Sequence, residues 1–384
     1  MSKNVAFVFA LPVRTYPILI TMPFGLNVIT LLDKKGYNID IYLSEYKNSS
    51  YNNLFSENVK IHFVDKNYLW RNNVSLAFFM ITNYFKLLSC FKLKNSYSLI
   101  FGSGMAGVTI GAILKRFNPK SKFIYLNDEF PIQDTDSIWV EGELKSALSA
   151  DLVSTPDETR YVPLCNQIPG LNKIPHFTLP NTPLKDEINT IPSINWHERF
   201  DIPEDKKIFL MAGGMNDFCQ LPELLTSVKN WPDNTVLLLK GKPDINNIRR
   251  SLKHIDIPAK IVWSGESFTP DELHSLIKYC TASICLYTDV NDNFRYVGKS
   301  AGKLMRSVLL GKPVIVSNSE SFQFVEDFGF GKMVTHSTEI PSAIQYILDN
   351  EKELGDNCKK NYQEISYEKY WGVFEKILHT DPAV

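Results

Sequence analysis

The sequence predicts an α/β chain of two doubly wound domains facing each other across a cleft, and three observations carry that expectation. Short β-rich runs alternate with helical stretches, the pattern of parallel βα units. The alternation halts at a proline-rich stretch and then starts afresh. The chain has 384 residues, too many for one ordinary α/β core and comfortable for two at about 150 residues each.

In the first half, strands are expected over Val5–Ala10, Ile39–Leu43, Val59–Val64, Ser98–Gly102, Phe123–Leu126 and Leu152–Thr155. Helical stretches lie between them at Leu26–Lys35, Met105–Phe117 and Val140–Ala150, and Leu11–Gly25 reads as a loop after the first strand. Pro163, Pro169, Pro175, Pro180, Pro183, Pro192 and Pro203 then follow with few long apolar periods. Proline breaks helices and central strands, so this stretch reads as connecting structure, with the boundary near Leu184–Ile194. The second half repeats the pattern, with strands at Ile208–Met211, Val236–Leu239, Ile261–Trp263, Ala282–Tyr287 and Pro313–Val316. Helices centred on Leu224, Ile248, Leu276 and Leu304 separate them. The expected domains are residues 1–185 and 195–365. Residues 366–384 form a final helix, aromatic over Tyr367–His379, that packs back toward the first domain. Two such domains place a ligand crevice at the carboxyl ends of their strands.

Composition narrows the function classes. A net charge of −1 argues against a general nucleic-acid binder, which needs a basic excess for phosphate contacts. Six scattered cysteines (Cys90, Cys165, Cys219, Cys280, Cys285, Cys358) form no C-x-x-C pair and have no histidine at zinc spacing, so isolated thiols in a reducing compartment are expected. Met1-Ser2-Lys3-Asn4 runs straight into the first strand with no apolar h-region, so a cytoplasmic protein is expected. Val74–Leu93 is the most lipid-like stretch, but Asn83, Lys86 and Lys92 interrupt it, and a spanning helix wants about 20 nearly unbroken apolar residues. It is expected as a buried helix; the other reading is peripheral contact with a membrane surface.

The run from Tyr296 to Ser317 carries the chemistry. Ala301, Leu304, Met305, Val308 and Leu309 have helical spacing; Ser300 reads as the N-cap, and Gly311 followed by Pro313 as the stop. Lys299, Lys303 and Arg306 fall on one face by i,i+4 and i,i+3 spacing. A helix N-terminus already carries about half a positive charge, so cations there are unfavourable unless an anion docks on it. Free backbone N–H groups, Ser300 and these cations together would seat a diphosphate. The plainer alternative is that the three side chains simply point into water.

This run, Gly-x-Ser-x-x-Lys-Leu…Leu-x-Gly-Lys-Pro-Val-Ile, resembles the donor-binding helix of GT-B glycosyltransferases, in particular the bacterial group 1-like superfamily. Weaker matches follow along nearly the whole chain: Ala150–Pro156, Leu179-Pro-Asn-Thr-Pro183, Ile208–Gly214 and Leu237–Gly241. The resemblance implies two Rossmann-like domains, an acceptor-side first half and a nucleotide-sugar-binding second half. It carries Ser300 and Lys303 over as pyrophosphate contacts. Many retaining members have two glutamates spaced eight apart; the matching positions here are Gly298 and Arg306, which leaves the ribose contact and the stereochemical outcome open.

Other candidates take their place from that resemblance. Gly213 and Gly214, after a strand, allow backbone N–H groups to approach a phosphate, though a simple tight turn explains them as well. Lys240, ending the next strand, is placed to reach the same diphosphate or is merely solvated. Tyr287, Asp289 and Glu320 sit at strand ends where sugar or base would lie. Asp128 and Glu129 follow Phe123–Leu126, and an inverting transfer needs a carboxylate base to take the acceptor proton; capping the next helix is the other reading. Gly102–Gly107 has a G-x-G-x-x-G spacing but follows the fourth strand, so close packing is expected rather than dinucleotide binding. Asp134-Thr-Asp136 precedes a helix in the wrong domain, so no divalent metal is expected. No cofactor is expected beyond the nucleotide-sugar co-substrate. The partners implied are that donor and a glycan or lipid-linked acceptor, with no nucleic acid, at the inner face of the membrane. The alternatives are a non-catalytic GT-B subunit and a nucleotide-sugar epimerase.

Overall fold

Seven parallel strands build the first sheet in this computed structural model: β1 (Asn4–Phe9), β2 (Asn38–Leu43), β3 (Val59–Phe63), β4 (Leu99–Ser103), β5 (Lys122–Leu126), β6 (Leu152–Thr155) and β7 (His176–Thr178). The structure describes residues 3–9, 19, 22–43, 51, 54–63, 96–131, 138–188, 191–215, 217–241 and 260–379. The order β3-β2-β1-β4-β5-β6-β7 turns around between β1 and β4. Val5 lies opposite Ile39 on one side and Leu99 on the other. Strands flanked on both faces read as continuous apolar runs; Val5–Phe9 is such a run and is fully buried.

Gly102 shows why the glycine-spaced segment sits where it does. A Cβ there would lie 2.9 Å from the Gly107 carbonyl oxygen and 3.1 Å from the Phe123 ring. The helix Met105–Phe117 therefore rests directly on β4, and the glycines serve close packing. The expected loop Leu11–Gly25 ends early: a helix begins at Pro23, whose fixed φ and missing N–H suit a first turn.

A six-stranded parallel sheet forms the second unit: β8 (Lys207–Ala212), β9 (Thr235–Lys240), β10 (Ile261–Ser264), β11 (Ala282–Cys285), β12 (Val314–Ser317) and β13 (Gly331–Val334), in the order β10-β9-β8-β11-β12-β13. Met211 pairs with Leu239, and Ser283 with Val314. One core cluster joins Phe209, Met211, Leu224, Leu239 and Ile344; another joins Cys285, Leu304, Met305, Val308 and Phe330. The helix Pro270–Tyr279 starts on a complete capping box, Thr269 with Glu272.

Contacts divide the chain into Met1–Pro180 with Tyr370–Val384, and Asn181–Lys369. The last helix, Tyr367–His379, meets first-unit residues through most of its length. Phe374 stacks on Phe177 at 5.5 Å, the Tyr370 hydroxyl donates to Glu158 at 2.9 Å, and Lys122 Nζ donates to the Ile377 carbonyl at 2.7 Å. β7 and β13 are additions to the strands expected. Both are short edge strands, one between Pro175 and Pro180 and the other only four residues with Gly331 and Lys332 at its start, so neither carries a strong apolar signal. The candidate helices at Val74–Leu93 and around Ile248, the loop residues 11–21 other than Leu19, and Asp134 and Asp136 lie outside the described residues. Among the described residues no helix is long and apolar enough to cross a membrane.

Candidate functional site

In the second sheet the strand order turns around between β8 and β11. Connections leave such a pair of strands in opposite directions, which opens a crevice outside their carboxyl ends. Gly213 and Gly214 follow β8 there, and Tyr287 follows β11.

Gly213 has φ +101°, a conformation that L side chains rarely adopt, and its N–H donates to the Lys240 carbonyl at 2.9 Å. Both glycines are exposed, and a Cβ on either would meet nothing within 4 Å. Gly241, just after β9, is the opposite case. Its φ is +155°, and a Cβ would strike the Gly213 carbonyl oxygen at 2.3 Å. The two loops press together at Gly241, while Gly213 and Gly214 leave open space above the end of β8.

Across the strand boundary, Tyr287 is fixed through its backbone. Its N–H donates to Ser317 Oγ at 2.8 Å, and its carbonyl accepts from Gln220 Nε2 at 2.7 Å. The Lys303 ammonium lies 4.7 Å from the centre of the Tyr287 ring. Burial pushes the Tyr287 phenol up to about 12, against the pull of Lys303, so the hydroxyl is neutral at physiological pH.

The helix expected at this point runs over Gly302–Leu309 and stops before Gly311, whose φ is +72°. Its start differs from expectation. Ser300 belongs to a preceding 3-10 turn, Gly298–Ser300, and its hydroxyl and N–H both go to the Val297 carbonyl. The N-cap is Ala301, with no side chain capping the first turn. Lys299 consequently sits outside the helix, and the i,i+4 geometry assumed for it does not apply. Its ammonium lies 5.8 Å from the Phe324 ring centre. Arg306 takes a third direction: its Nη1 is 3.6 Å from where a Gly302 Cβ would be. Burial lowers the pKa of Arg306, with Glu187 working against that effect. Asn181 ties the segment to the turn, its N–H donating to the Lys299 carbonyl and its Nδ2 to the Ser300 carbonyl, both at 3.1 Å. Of the three cations, the structure brings Lys303 to the end of β11.

Lys240 is 8% exposed, and its charge is already engaged. The ammonium donates to the Glu266 carbonyl and lies 4.0 Å from the Phe268 ring centre. Arg199 shares that ring at 4.9 Å and pairs with Glu266 at 2.8 Å and Glu272 at 3.0 Å. Asp289 bonds the Arg295 guanidinium, and Glu320 stands exposed after β12.

In the first unit, Asp128 and Glu129 follow β5, with Asp128 half-buried and Glu129 exposed. Their loop is gripped through its backbone. Arg160 Nη2 donates to the Asp128 carbonyl at 3.0 Å, Asn127 Nδ2 donates to the Glu129 carbonyl at 2.8 Å, and the Arg160 guanidinium lies 4.4 Å from the Phe130 ring centre. Below the loop the Tyr125 hydroxyl donates to Glu143 at 2.7 Å and accepts from Asn127 at 2.8 Å. Burial pushes the Glu143 carboxyl up to about 7; the Tyr125 bond opposes this and the Glu129 charge adds to it. Glu143 and Arg160 were not among the sequence candidates. The signal for Glu143 was its register with Val140 and Ala147, which are also buried. Among the described residues no group of three or more His, Cys, Asp or Glu is placed to hold a metal ion.

No family model matches the chain. A stretch of 172 residues is 28% identical to the processive diacylglycerol beta-glucosyltransferase of Bacillus licheniformis, covering 44% of this chain and 42% of that enzyme, less than half the length of each. Solved structures align far more completely. Anabaena HepE in complex with UDP superposes with a TM-score of 0.69 at 11% identity, over 98% of this chain and 99% of its own. HepE is also solved with UDP-glucose. Sucrose-phosphate synthase from Thermosynechococcus elongatus gives 0.69 at 14% identity over 97% of both chains. A putative UDP-N-acetylglucosamine 2-epimerase from Listeria monocytogenes gives 0.62 at 12% identity, over 100% of this chain and 99% of its own. With two parallel α/β sheets in one chain, shared along nearly its whole length with these structures, the protein has the GT-B fold.

Proposed function

We propose that the protein is a glycosyltransferase that takes a sugar from a nucleotide-sugar donor held outside the carboxyl ends of β8 and β11. The observation that carries the reading is the pair Gly213 and Gly214: exposed, with open space at both Cβ positions, at the point where the strand order turns around. Backbone N–H groups there, the uncapped start of Gly302–Leu309 and the Lys303 ammonium form the seat for the leaving diphosphate. Ser300, Lys299 and Arg306 support that helix start from its flanks, and Tyr287 borders the sugar. Lys240 acts by holding the loop beside Gly213. The similarity to HepE, solved with UDP and UDP-glucose, favours a UDP-hexose donor.

Asp128 and Glu129 are the base candidates, and Glu129, the more exposed, is the better placed to take a proton from an acceptor hydroxyl. The reading includes a metal-independent transfer, a glycan or lipid-linked acceptor, a role in bacterial surface polysaccharide synthesis and a cytoplasmic location at the inner membrane face. Domain limits of 1–185, 195–365 and 366–384 belong to the same reading. The likeness to a putative 2-epimerase favours one rival, conversion of the donor sugar without transfer. Melting temperatures with UDP, GDP, CMP and dTDP test the donor, since a ligand stabilises the folded state by mass action. A shift with UDP and release of free UDP from UDP-glucose support transfer. Conversion of the sugar without release of UDP supports the epimerase, and no shift with any nucleotide defeats both.

A further inference from the structure

We infer that Glu143, buried beneath the Asp128–Glu129 loop, is a positioning residue for Glu129: through Tyr125 and Asn127 it fixes the peptide groups from which that carboxylate projects. The inference rests on the reading of Glu129 as the base that takes the acceptor proton.

The chain of bonds has a fixed direction. A backbone carbonyl only accepts, so the Glu129 carbonyl requires the nitrogen of the Asn127 side-chain amide, which lies 2.8 Å away. That nitrogen also donates to the Tyr125 oxygen, again at 2.8 Å. Tyr125 is buried and must place its own proton elsewhere, and Glu143 Oε1 takes it at 2.7 Å. Without that acceptor the phenol could donate only to a reversed Asn127 amide, whose oxygen would then face the Glu129 carbonyl. Asn127 Oδ1 is buried and has no hydrogen-bond partner among the described residues, so the direction of the amide depends on its nitrogen alone.

The consequence falls on Glu129 because both of its flanking peptide groups are held. Arg160 Nη2 donates to the Asp128 carbonyl at 3.0 Å, and Asn127 donates to the Glu129 carbonyl. Those carbonyls belong to the planar groups on either side of the Glu129 Cα, and holding both planes fixes the direction of its Cβ. The stem of the loop is anchored separately, by the Asn127 N–H on the Ser154 carbonyl at 2.9 Å. Burying an acid is unfavourable, and an apolar side chain of similar size would fill the place without that cost. Glu129 and Glu143 also repel one another, so packing alone does not account for a carboxyl here. What it adds over leucine is the acceptor that orients Tyr125.

Two measurements on the full chain test the inference: hydrogen exchange by NMR, and release of UDP from UDP-glucose with water as acceptor. Glu143→Leu and Tyr125→Phe should each speed exchange of the Asn127 backbone amide about tenfold relative to that of Val153, whose N–H donates to the Pro175 carbonyl at 2.9 Å. Each should also lower kcat for UDP release about tenfold with the KM for UDP-glucose unchanged. Glu143→Gln, which keeps the accepting oxygen, should stay within about twofold of the unmodified chain in both measurements. Tyr125→Phe keeps the packed ring, so it carries the test even where Glu143→Leu does not fold. Unchanged Asn127 exchange in folded Tyr125→Phe, equal acceleration at Asn127 and Val153, or a glutamine variant as impaired as the leucine one overturns the inference. So does an unchanged kcat where exchange at Asn127 has risen. A chain that releases no UDP from UDP-glucose, while Asn127 responds as expected, defeats the transferase reading and leaves the orientation of the loop by Glu143 in place.

Discussion

Glu143→Gln should make the first unit more stable above neutral pH, and the size of the gain follows from burial. Glu143 is 3% exposed, and the Tyr125 hydroxyl donates to it. Its carboxyl is held at about 7 in the folded chain against an ordinary 4.5. An acid whose folded pKa is raised contributes its stability fully at low pH, below the unfolded value. That contribution is lost as pH rises from about 4.5 through about 7, because the ionised form is favoured in the unfolded chain. The difference corresponds to about 3 kcal/mol, an upper bound because an ionised carboxylate can draw in water. Glutamine keeps the shape and the oxygen that accepts from Tyr125 but does not titrate. For a unit of this size the gain is roughly 6–12 °C in melting temperature. The assay is thermal unfolding of both proteins from pH 4 to 8.5, followed through the transition that Tyr370→Ala shifts, which marks the first unit. The two curves should coincide near pH 4 and separate steadily up to pH 8. Parallel curves over that range would show that Glu143 is solvated and that the buried Tyr125–Glu143 pairing is wrong.

Four further variants have definite expected outcomes. Lys303→Met should weaken UDP binding about ten- to a hundredfold by calorimetry, the worth of a hydrogen bond to a charged group, and unchanged affinity removes the diphosphate seat. Gly214→Ala, whose Cβ enters open space, should leave stability within about 0.5 kcal/mol while impairing UDP binding. Gly241→Ala, whose Cβ strikes the Gly213 carbonyl, should instead cost about 1–3 kcal/mol in urea unfolding; equal behaviour of the two variants would refute the loop geometry. Glu129→Gln should lower kcat for transfer about 10²–10⁴-fold with little change in donor KM, and an unaffected rate would dismiss it as the base.

Regular elements were legible because their signals are local. Val5–Phe9 is apolar without interruption, as a strand covered on both faces must be, and Met105–Phe117 shows helical periodicity to the residue. Local signals also fail locally. Ser300 has the chemistry of an N-cap, yet its hydroxyl satisfies the Val297 carbonyl one turn earlier, so the N-cap is Ala301 and the helix begins one residue later than the residue type suggests. β7 escapes because three residues between prolines leave no period to read.

The sequence by itself determined the two alternating α/β halves, the glycine pair after β8 and the helix ending at Gly311, because periodicity, proline and glycine act through the backbone of their own segment. Only the tertiary structure decided where charge goes. Helical spacing fixes the angle at which Lys303 and Arg306 leave the axis, but a long side chain ends wherever a neighbour receives it. One reached Tyr287, and the other is buried over Gly302 within the field of Glu187. The same holds for Lys240, whose ammonium is taken up by Glu266 and Phe268, and for Glu143, which differs from exposed Glu141 only in the face it turns to the sheet. Partners distant in the chain set the energy of a charge, and no short window of sequence contains them.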